Sequence, residues 1–290
     1  MGVIIGEYGL LGDDKGSRAN QIGEKVKYYE YMNFMASQKG ICLMMWDNGG
    51  FINRLDTKKY SWKQPLVGAI IEAANKRNRS SYATGINEIY LSQRVDNGVQ
   101  IPLTLNDNKF KGIKGLTNGK EYTYDEASAT ITLSKDFVNS RFNKLHKYGS
   151  IADLVIMFSK GADWHQYLIK YIAPVLNSYS GKTNEFNIPV DFNGTILRRA
   201  TAYLVNEDGT DGYRVGPNAG WWSYLEYGPS SSFVADYDNS TINIQSGFFS
   251  DGSVPTDGVI KFTFEFYDGQ IINYILTKTG ENVTGISEVK

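Results

Sequence analysis

The chain has 290 residues and a formal net charge of −1, so it carries no excess of basic side chains that would attract nucleic acid. Its apolar runs are all far shorter than the roughly 20 residues of a membrane-spanning helix, and its N-terminus lacks the charged region and apolar core of a signal peptide. We therefore expect no nucleic-acid partner and no membrane partner, and we expect no targeting segment.

The chain opens with MGVIIGEYG, in which residues 3–5 form a continuous β-branched run. Such runs are typical of strands that are buried on both faces of a parallel sheet. Glu7 is then expected at the C-terminal end of this strand, the edge where catalytic side chains collect in parallel α/β folds. Glu7 is therefore a candidate catalytic residue, and the alternative is an acidic strand residue without a chemical role.

A strand, a helix and a second strand are predicted over the first 45 residues. Apolar side chains recur at steps of three and four over residues 20–39, with Lys27 off this face, and Gly40 follows as a C-terminal cap. The apolar run 41–45 ends in three polar or aromatic residues, Trp46, Asp47 and Asn48. The pattern predicts a right-handed βαβ unit with its polar residues at one rim, and a further helix is predicted from Pro65.

Cysteine and histidine, the residue types that form disulfides and zinc sites, are scarce in this sequence. Cys42 is the single cysteine, so it cannot form an internal disulfide, and we expect a buried small hydrophobe. The two histidines, His146 and His165, have no cluster of cysteines or carboxylates at ligand spacing. We therefore expect no zinc site.

The helical period disappears from about residue 88, and alternating runs typical of strands take over. The predicted strands are 101–105, 122–124, 129–133, 152–158 and 166–172, with one or two helical turns over 136–145. These elements predict an immunoglobulin-like β-sandwich of about ninety residues.

A second all-β block follows the polar linker 177–183. Its predicted strands are Thr195–Val205, Gly220–Tyr227, Thr241–Gln245, Val259–Tyr267 and Gln270–Thr277. Trp221 and Trp222 are adjacent, so on a strand their side chains point to opposite faces and at most one of them can lie in the core. The block predicts a further sandwich or a small barrel.

Three groups of motifs resemble the modules of one enzyme type. VIIGEYG followed by a helix and MMWDNGG resembles the last two βα units of a family 5 glycoside hydrolase of the bacterial endoglucanase type. IPLTLNDNKFKGI, GKEYTY and ATITLSKDF resemble its immunoglobulin-like X2 module, and GWWSYLEYG resembles a family 46 carbohydrate-binding module. The resemblance implies a mainly β, multidomain chain: a (β/α)8 barrel remnant over 1–87, one sandwich over 88–178 and another over 179–290.

The resemblance also implies an activity and the residues that carry it. The family hydrolyses β-1,4-glucans with retention, which makes Glu7 the nucleophile and Trp46 a sugar-stacking floor, with Asp47 and Asn48 beside it in substrate binding. No metal or other cofactor is implied. The expected partner is a β-glucan such as cellulose or a xyloglucan-like chain, and the family is extracellular.

The sequence departs from the family pattern in one respect. Family members carry the acid/base glutamate after the fourth barrel strand in an Asn-Glu motif, and no segment here corresponds to strands one to six. Asn87-Glu88 lies at the entry to the β-rich region and is not assigned this role. We therefore expect the isolated chain to be inactive, and its N-terminal part to be mobile or covered by a complementing or swapped chain.

The aromatic residues of the last block are the candidate sugar contacts. Trp221, Trp222 and Tyr224 offer ring faces that suit the apolar C–H faces of sugars. Two other classes stay open at this point. One is a non-catalytic polysaccharide-binding protein, and the other is a structural or adhesive tandem sandwich, which is favoured if these aromatic side chains are buried.

Overall fold

The structure is a computed structural model that describes residues 2–9, 18–45, 55–56, 61–62, 79–144, 147–225, 227–228 and 231–288. The chain divides into two compact units, Met1–Lys170 and Tyr171–Lys290. Strands predominate over helices in both, as the sequence predicts. Among the described helices, none combines the length and the apolar character that a membrane span requires.

The first unit begins with the predicted βαβ unit. Strand β1 (Val3–Tyr8) pairs in parallel with β2 (Ile41–Met45), and helix α1 (Arg18–Lys39) connects them. Gly40 ends the helix with φ +65°, a left-handed conformation that favours glycine. The strand, helix and strand predicted from apolar periodicity are thus confirmed.

The burial predicted for these two strands is wrong in part. Val3, Ile4 and Met44 are each at least half exposed, at 51%, 65% and 55%, and Cys42 is exposed rather than buried. In β2 the exposed residues alternate with half-buried ones, because α1 packs on one face and no other described element covers the opposite face. The covering chain expected from the sequence stays a prediction.

Two short strands follow in the first unit. They are β3 (Leu55–Asp56) and β4 (Ser61–Trp62), which pair in antiparallel fashion. The helix predicted from Pro65 lies outside the described residues.

The rest of the first unit is a sandwich of two four-stranded sheets, with the orders β5-β7-β10-β9 and β6-β12-β11-β8. Its strands are β5 (Tyr82–Ala83), β6 (Glu88–Leu91), β7 (Val99–Thr104), β8 (Phe110–Ile113), β9 (Tyr122–Asp125), β10 (Thr130–Leu133), β11 (Gly149–Phe158) and β12 (Trp164–Lys170). Helix α2 (Lys135–Lys144) replaces the predicted one or two turns and buries Val138 completely. Ile131, Ile156 and Leu168 fill the core between the sheets.

The second unit combines a four-stranded sheet of order β13-β15-β19-β18 with a six-stranded sheet of order β14-β22-β21-β20-β16-β17. Its strands are β13 (Val175–Leu176), β14 (Tyr179–Lys182), β15 (Phe186–Asp191), β16 (Leu197–Val205), β17 (Asp211–Arg214), β18 (Phe233–Asp236), β19 (Thr241–Ile244), β20 (Asp257–Phe266), β21 (Ile271–Thr279) and β22 (Asn282–Ser287), with a short helix α3 (Ser246–Phe249). Phe262, Phe264 and Phe266 alternate into the core, as predicted.

The strand predicted over Gly220–Tyr227 is wrong. Residues 220–225 lie outside any strand, and the backbone N–H groups of Trp221 and Trp222 both donate to the Asn218 carbonyl, at 2.8 and 3.0 Å. Tyr227 forms an isolated bridge with Phe233. The physical reason lies just before residues 220–225, because Gly216 and Asn218 have φ of +108° and +60° and an extended backbone cannot continue through such residues.

Two short strands lie just before the module boundaries predicted at residues 87 and 178, but each pairs with a strand beyond its boundary. Tyr82–Ala83 pairs with β7 in the first sandwich, and Val175–Leu176 pairs with β15 in the second. The division into three modules stays a prediction.

Candidate functional site

Glu7 lies one residue before the C-terminal end of β1, and its side chain is exposed. Its neighbour Tyr8 pairs with Met45, so the C-terminal ends of both parallel strands meet at the same edge. This is the placement that the sequence predicts for a catalytic carboxylate. Trp46, Asp47 and Asn48 follow Met45 and lie outside the described residues, so their convergence with Glu7 stays a prediction.

A group of tyrosines fixes the end of β1 beside Glu7. The Tyr8 ring packs against Tyr28 and Tyr29, with centroids 6.4 and 5.7 Å apart. The Asn33 amide donates to the Tyr29 carbonyl at 2.8 Å and to the Tyr8 hydroxyl at 3.4 Å. Burial raises the pKa of the Tyr8 hydroxyl above its ordinary value.

The Asn-Glu dipeptide belongs to the first sandwich. Glu88 lies in β6 with 9% of its surface exposed and accepts a hydrogen bond from the Tyr90 hydroxyl at 2.7 Å. The Asn87 carbonyl accepts from the Tyr167 backbone N–H, also at 2.7 Å. These bonds place both residues at the edge of a sheet.

Residues 216–225 of the second unit form a loop that we call the aromatic loop. Trp221 is 89% exposed, Trp222 46% and Tyr224 42%. The rings of Trp222 and Tyr224 are adjacent, with centroids 5.8 Å apart and planes inclined by 41°. All three candidate sugar contacts are thus brought together at the surface, and because the segment is a turn rather than a strand, neither indole enters the core.

Both ends of the aromatic loop are tied to strand β16. Val215, just before the loop, is completely buried, and its backbone N–H donates to the Ala202 carbonyl at 3.1 Å. Leu225 is 4% exposed, and its N–H donates to the Ala200 carbonyl at 2.8 Å. The exposed rings therefore project from a frame that the core of the sheet holds in place.

Gly216 makes the sharp turn at the start of the aromatic loop. Beyond its positive φ, a Cβ at this position would lie 2.7 Å from the Phe248 ring and 2.9 Å from the Leu225 side chain. Its backbone N–H donates to the Ser253 hydroxyl at 2.8 Å, and Ser253 in turn donates to the Asp251 carboxylate. The position therefore requires glycine for its conformation and for its surroundings.

Arg214 precedes the loop and contacts it from the sheet. It pairs with Tyr203 in β16, and its guanidinium Nη1 donates to the Trp222 carbonyl. Sequence reasoning missed Arg214, Gly216 and Ser253. A glycine directly after the short run Tyr213–Val215 could have indicated the turn, but no local pattern marks Ser253, which is 37 residues away in sequence.

The arrangement suits the recognition of sugars. Exposed indole and phenol rings offer apolar faces to the C–H faces of pyranose rings, and adjacent polar groups orient the hydroxyls. In the part of the chain that the structure describes, no three His, Cys, Asp or Glu side chains gather as a metal site would require. The exposed rings of the aromatic loop offer stacking, and the polar groups beside them offer hydrogen bonding.

Comparison with known families agrees with this chemistry. Residues 172–286 match CBM46, a family described as a carbohydrate binding domain. The match covers almost all of the second unit, including the aromatic loop.

Relatives resemble the chain over nearly its whole length. It is 33% identical to endoglucanase B of Paenibacillus lautus over 286 residues. This alignment covers 98% of this chain and 48% of the relative. Among solved structures, the tri-modular endo-β-1,4-glucanase B of Bacillus halodurans is 30% identical with a TM-score of 0.76, over 100% of this chain and 52% of that one. A trimodular endoglucanase of glycoside hydrolase family 5, subfamily 4, is 29% identical with a TM-score of 0.75, over 99% and 51%.

The second unit thus resembles the CBM46 carbohydrate-binding family over residues 172–286. The chain as a whole is similar to the C-terminal part of trimodular family 5 endoglucanases. The chain spans about half the length of the relatives that it matches.

Proposed function

We propose that the chain binds β-glucan through the aromatic loop and serves a cellulase-type, extracellular β-1,4-glucan endohydrolase. One observation carries the proposal. Trp221, Trp222 and Tyr224 are exposed together on a loop whose two ends are fixed in the core of a carbohydrate-binding domain. Rings held in this way bind a sugar without a further cost of ordering the loop. Cellulose and xyloglucan-like chains are the proposed ligands.

Hydrolysis is the second part of the proposal. Glu7 is proposed as the nucleophile of a retaining mechanism, in which it attacks the anomeric carbon while a second carboxyl group protonates the leaving oxygen. Retaining enzymes hold these groups about 5 to 5.5 Å apart. No residue of the 290 is assigned as the acid, so we propose that the isolated chain is inactive and that a polypeptide carrying barrel strands one to six would restore the acid.

Native affinity electrophoresis tests the binding. The chain migrates through gels that contain hydroxyethylcellulose, xyloglucan or mixed-linkage β-glucan, all of them neutral polymers. We expect the wild-type chain to be retarded, and Trp221→Ala and Trp222→Ala to lose most of the retardation. Tyr148→Ala is the matched control, because Tyr148 is an aromatic residue of the first unit with a similar exposure of 43%. Equal retardation of all four proteins argues against the aromatic loop as the binding site.

A non-catalytic polysaccharide-binding protein is the alternative, because the aromatic loop and its frame lie entirely within this chain. The structural tandem sandwich is favoured if the aromatic side chains are buried. Trp221, with 89% of its surface exposed, supports the binding proposal instead.

A further inference from the structure

We propose that Arg214 is a ligand-binding residue of the aromatic loop. One side of its guanidinium holds the backbone of Trp222, and its other N–H groups donate to hydroxyls of the sugar ring that stacks on Trp222. The inference rests on the proposed β-glucan binding and adds to it a residue that orients the sugar.

The backbone of Arg214 is fixed on both sides. It pairs with Tyr203 in β16, and the next residue, Val215, is completely buried. The chain then turns at Gly216, where the side chains of Phe248 and Leu225 leave no space for a residue larger than glycine. The guanidinium therefore reaches the loop from a rigid origin, and its bond to the Trp222 carbonyl links the indole to the sheet.

The guanidinium keeps donors available for a ligand. An arginine side chain carries five N–H donors in one plane. In the described part of the chain, the Arg214 side chain donates to the Trp222 carbonyl, and no described carboxylate forms an ion pair with it. Arg199 differs, because its guanidinium is paired with the Glu265 carboxylate at 2.7 Å.

The donors of Arg214 lie close in the structure to the residue that would carry a stacked sugar. The guanidinium is bonded to the backbone carbonyl of Trp222, whose half-exposed ring lies beside Tyr224. A pyranose stacked on Trp222 directs its equatorial hydroxyls outward from its own ring edge, where we propose that the free donors meet them. Aromatic faces supply the contact area, while a planar group of charge-bearing donors fixes the orientation.

Three variants test the proposal in the full chain, with affinity for the same neutral glucans as the measurement. Arg214→Met keeps the length of the side chain and removes every donor, and we expect binding about tenfold weaker. Arg214→Lys keeps the charge but loses the planar fork, and we expect an intermediate loss. Arg199→Met removes the same charge from the same sheet and should bind like the wild type. The losses should persist at high salt, because the ligand is uncharged.

The possible outcomes separate this inference from the proposed function. If Trp222→Ala abolishes binding while Arg214→Met and Arg214→Lys bind like the wild type, the role of Arg214 is overturned and the binding site stands. If Arg199→Met weakens binding as much as Arg214→Met, the effect belongs to the overall charge and the proposal fails. If the wild-type chain binds none of the glucans, both proposals fall. Should Arg214→Met not fold, the lysine variant decides, since it retains the charge and the aliphatic stem.

Discussion

The carboxylate of Glu30 in α1 lies directly against Gly161 in the hairpin between β11 and β12. A Cβ at Gly161 would be 2.6 Å from Glu30 Oε2. The same carboxylate accepts the backbone N–H of Ala162 and, at 2.8 Å, the ammonium of Lys27, which also donates to the Ala162 carbonyl at 2.7 Å. A buried ion pair on the helix thus binds the backbone of a hairpin more than 130 residues away.

Gly161→Ala should destabilise the first unit. The residue has φ +84°, and the added methyl group would collide with the buried Glu30 carboxylate. The matched control is Gly115→Ala, since Gly115 has φ +75° but open space around it. We expect the free energy of unfolding in urea to fall by about 1 kcal/mol more for Gly161→Ala than for the control. Equal losses in the two variants would show that the Glu30 side chain moves away from the added methyl group without loss of stability.

Removing both members of the buried ion pair should cost less than the sum of the two single removals. Lys27 is 5% exposed and Glu30 2%, so Lys27→Met leaves an uncompensated buried carboxylate, and a loss of about 3 to 5 kcal/mol is expected. The double variant Lys27→Met, Glu30→Leu should lose less than the sum of the single variants. Lys120→Met is the control, because Lys120 and Glu121 form an ion pair at the surface, and such pairs contribute little to stability. Additive losses in the buried pair contradict the prediction.

Gly216→Ala should weaken glucan binding by displacing the aromatic loop. The methyl group would overlap the Phe248 ring and the Leu225 side chain, which hold the frame of the loop. We expect a loss of about 1 to 3 kcal/mol in unfolding free energy together with reduced retardation in glucan gels. Gly220→Ala in the same loop has open space and is the control. The prediction fails if both variants bind and unfold alike.

The second unit should lose stability in strong base as the Tyr274 hydroxyl loses its proton. The side chain is completely buried and its hydroxyl donates to the Asn177 carbonyl at 2.9 Å, and burial raises the pKa of Tyr274 to about 12. The unfolded phenol loses its proton near pH 10, so the folded state holds more protons between about pH 10 and 12. This stabilisation is complete below pH 10 and is lost as the pH rises toward 12, by about 2 kcal/mol.

The check is urea unfolding from pH 8 to 12 for the wild type and Tyr274→Phe. Phenylalanine removes the hydroxyl and its hydrogen bond, so the variant should be less stable at pH 8. Its free energy of unfolding should also fall less steeply above pH 10, because one buried titrating group is absent. Parallel curves for the two proteins over the whole range exclude Tyr274 as the source of the decline.

The isolated chain should not release reducing sugar from β-glucan at an enzyme-like rate. Glu7 lacks an assigned acid partner, and a positioned acid contributes about 10² to 10⁴-fold to such a step. The assay uses carboxymethylcellulose and xyloglucan with the wild-type chain and Glu7→Gln. If a polypeptide that supplies barrel strands one to six restores turnover, Glu7→Gln should abolish it. Robust turnover by the chain alone, absent in Glu7→Gln, means that the chain contains an acid and contradicts the prediction.

Several features of the fold followed from local sequence patterns. The alternation of Phe262, Phe264 and Phe266 predicted a half-buried strand, and the run 3–5 followed by Glu7 predicted a parallel strand with a carboxylate near its C-terminal end. These predictions succeeded because strand and helix periodicities are properties of consecutive residues.

Local patterns failed where distant residues decide the environment. Cys42 lies in an apolar run, yet it is exposed because no described element covers that face of β2. Lys27 lies off the apolar face of its helix, yet it is buried because Phe158 and the Gly161–Ala162 hairpin cover it. Each outcome depends on an element that the local sequence does not contain.

The candidate binding site shows the same division. Composition and adjacency marked Trp221, Trp222 and Tyr224 as candidate sugar contacts, but they also suggested a strand that would direct the two indoles to opposite faces. The turn was decided by Gly216 and by its packing against Phe248, a residue of a different element. The sequence determined which side chains can stack on a sugar, and only the tertiary structure determined that they are exposed together, because packing over long sequence separations fixes the backbone that carries them.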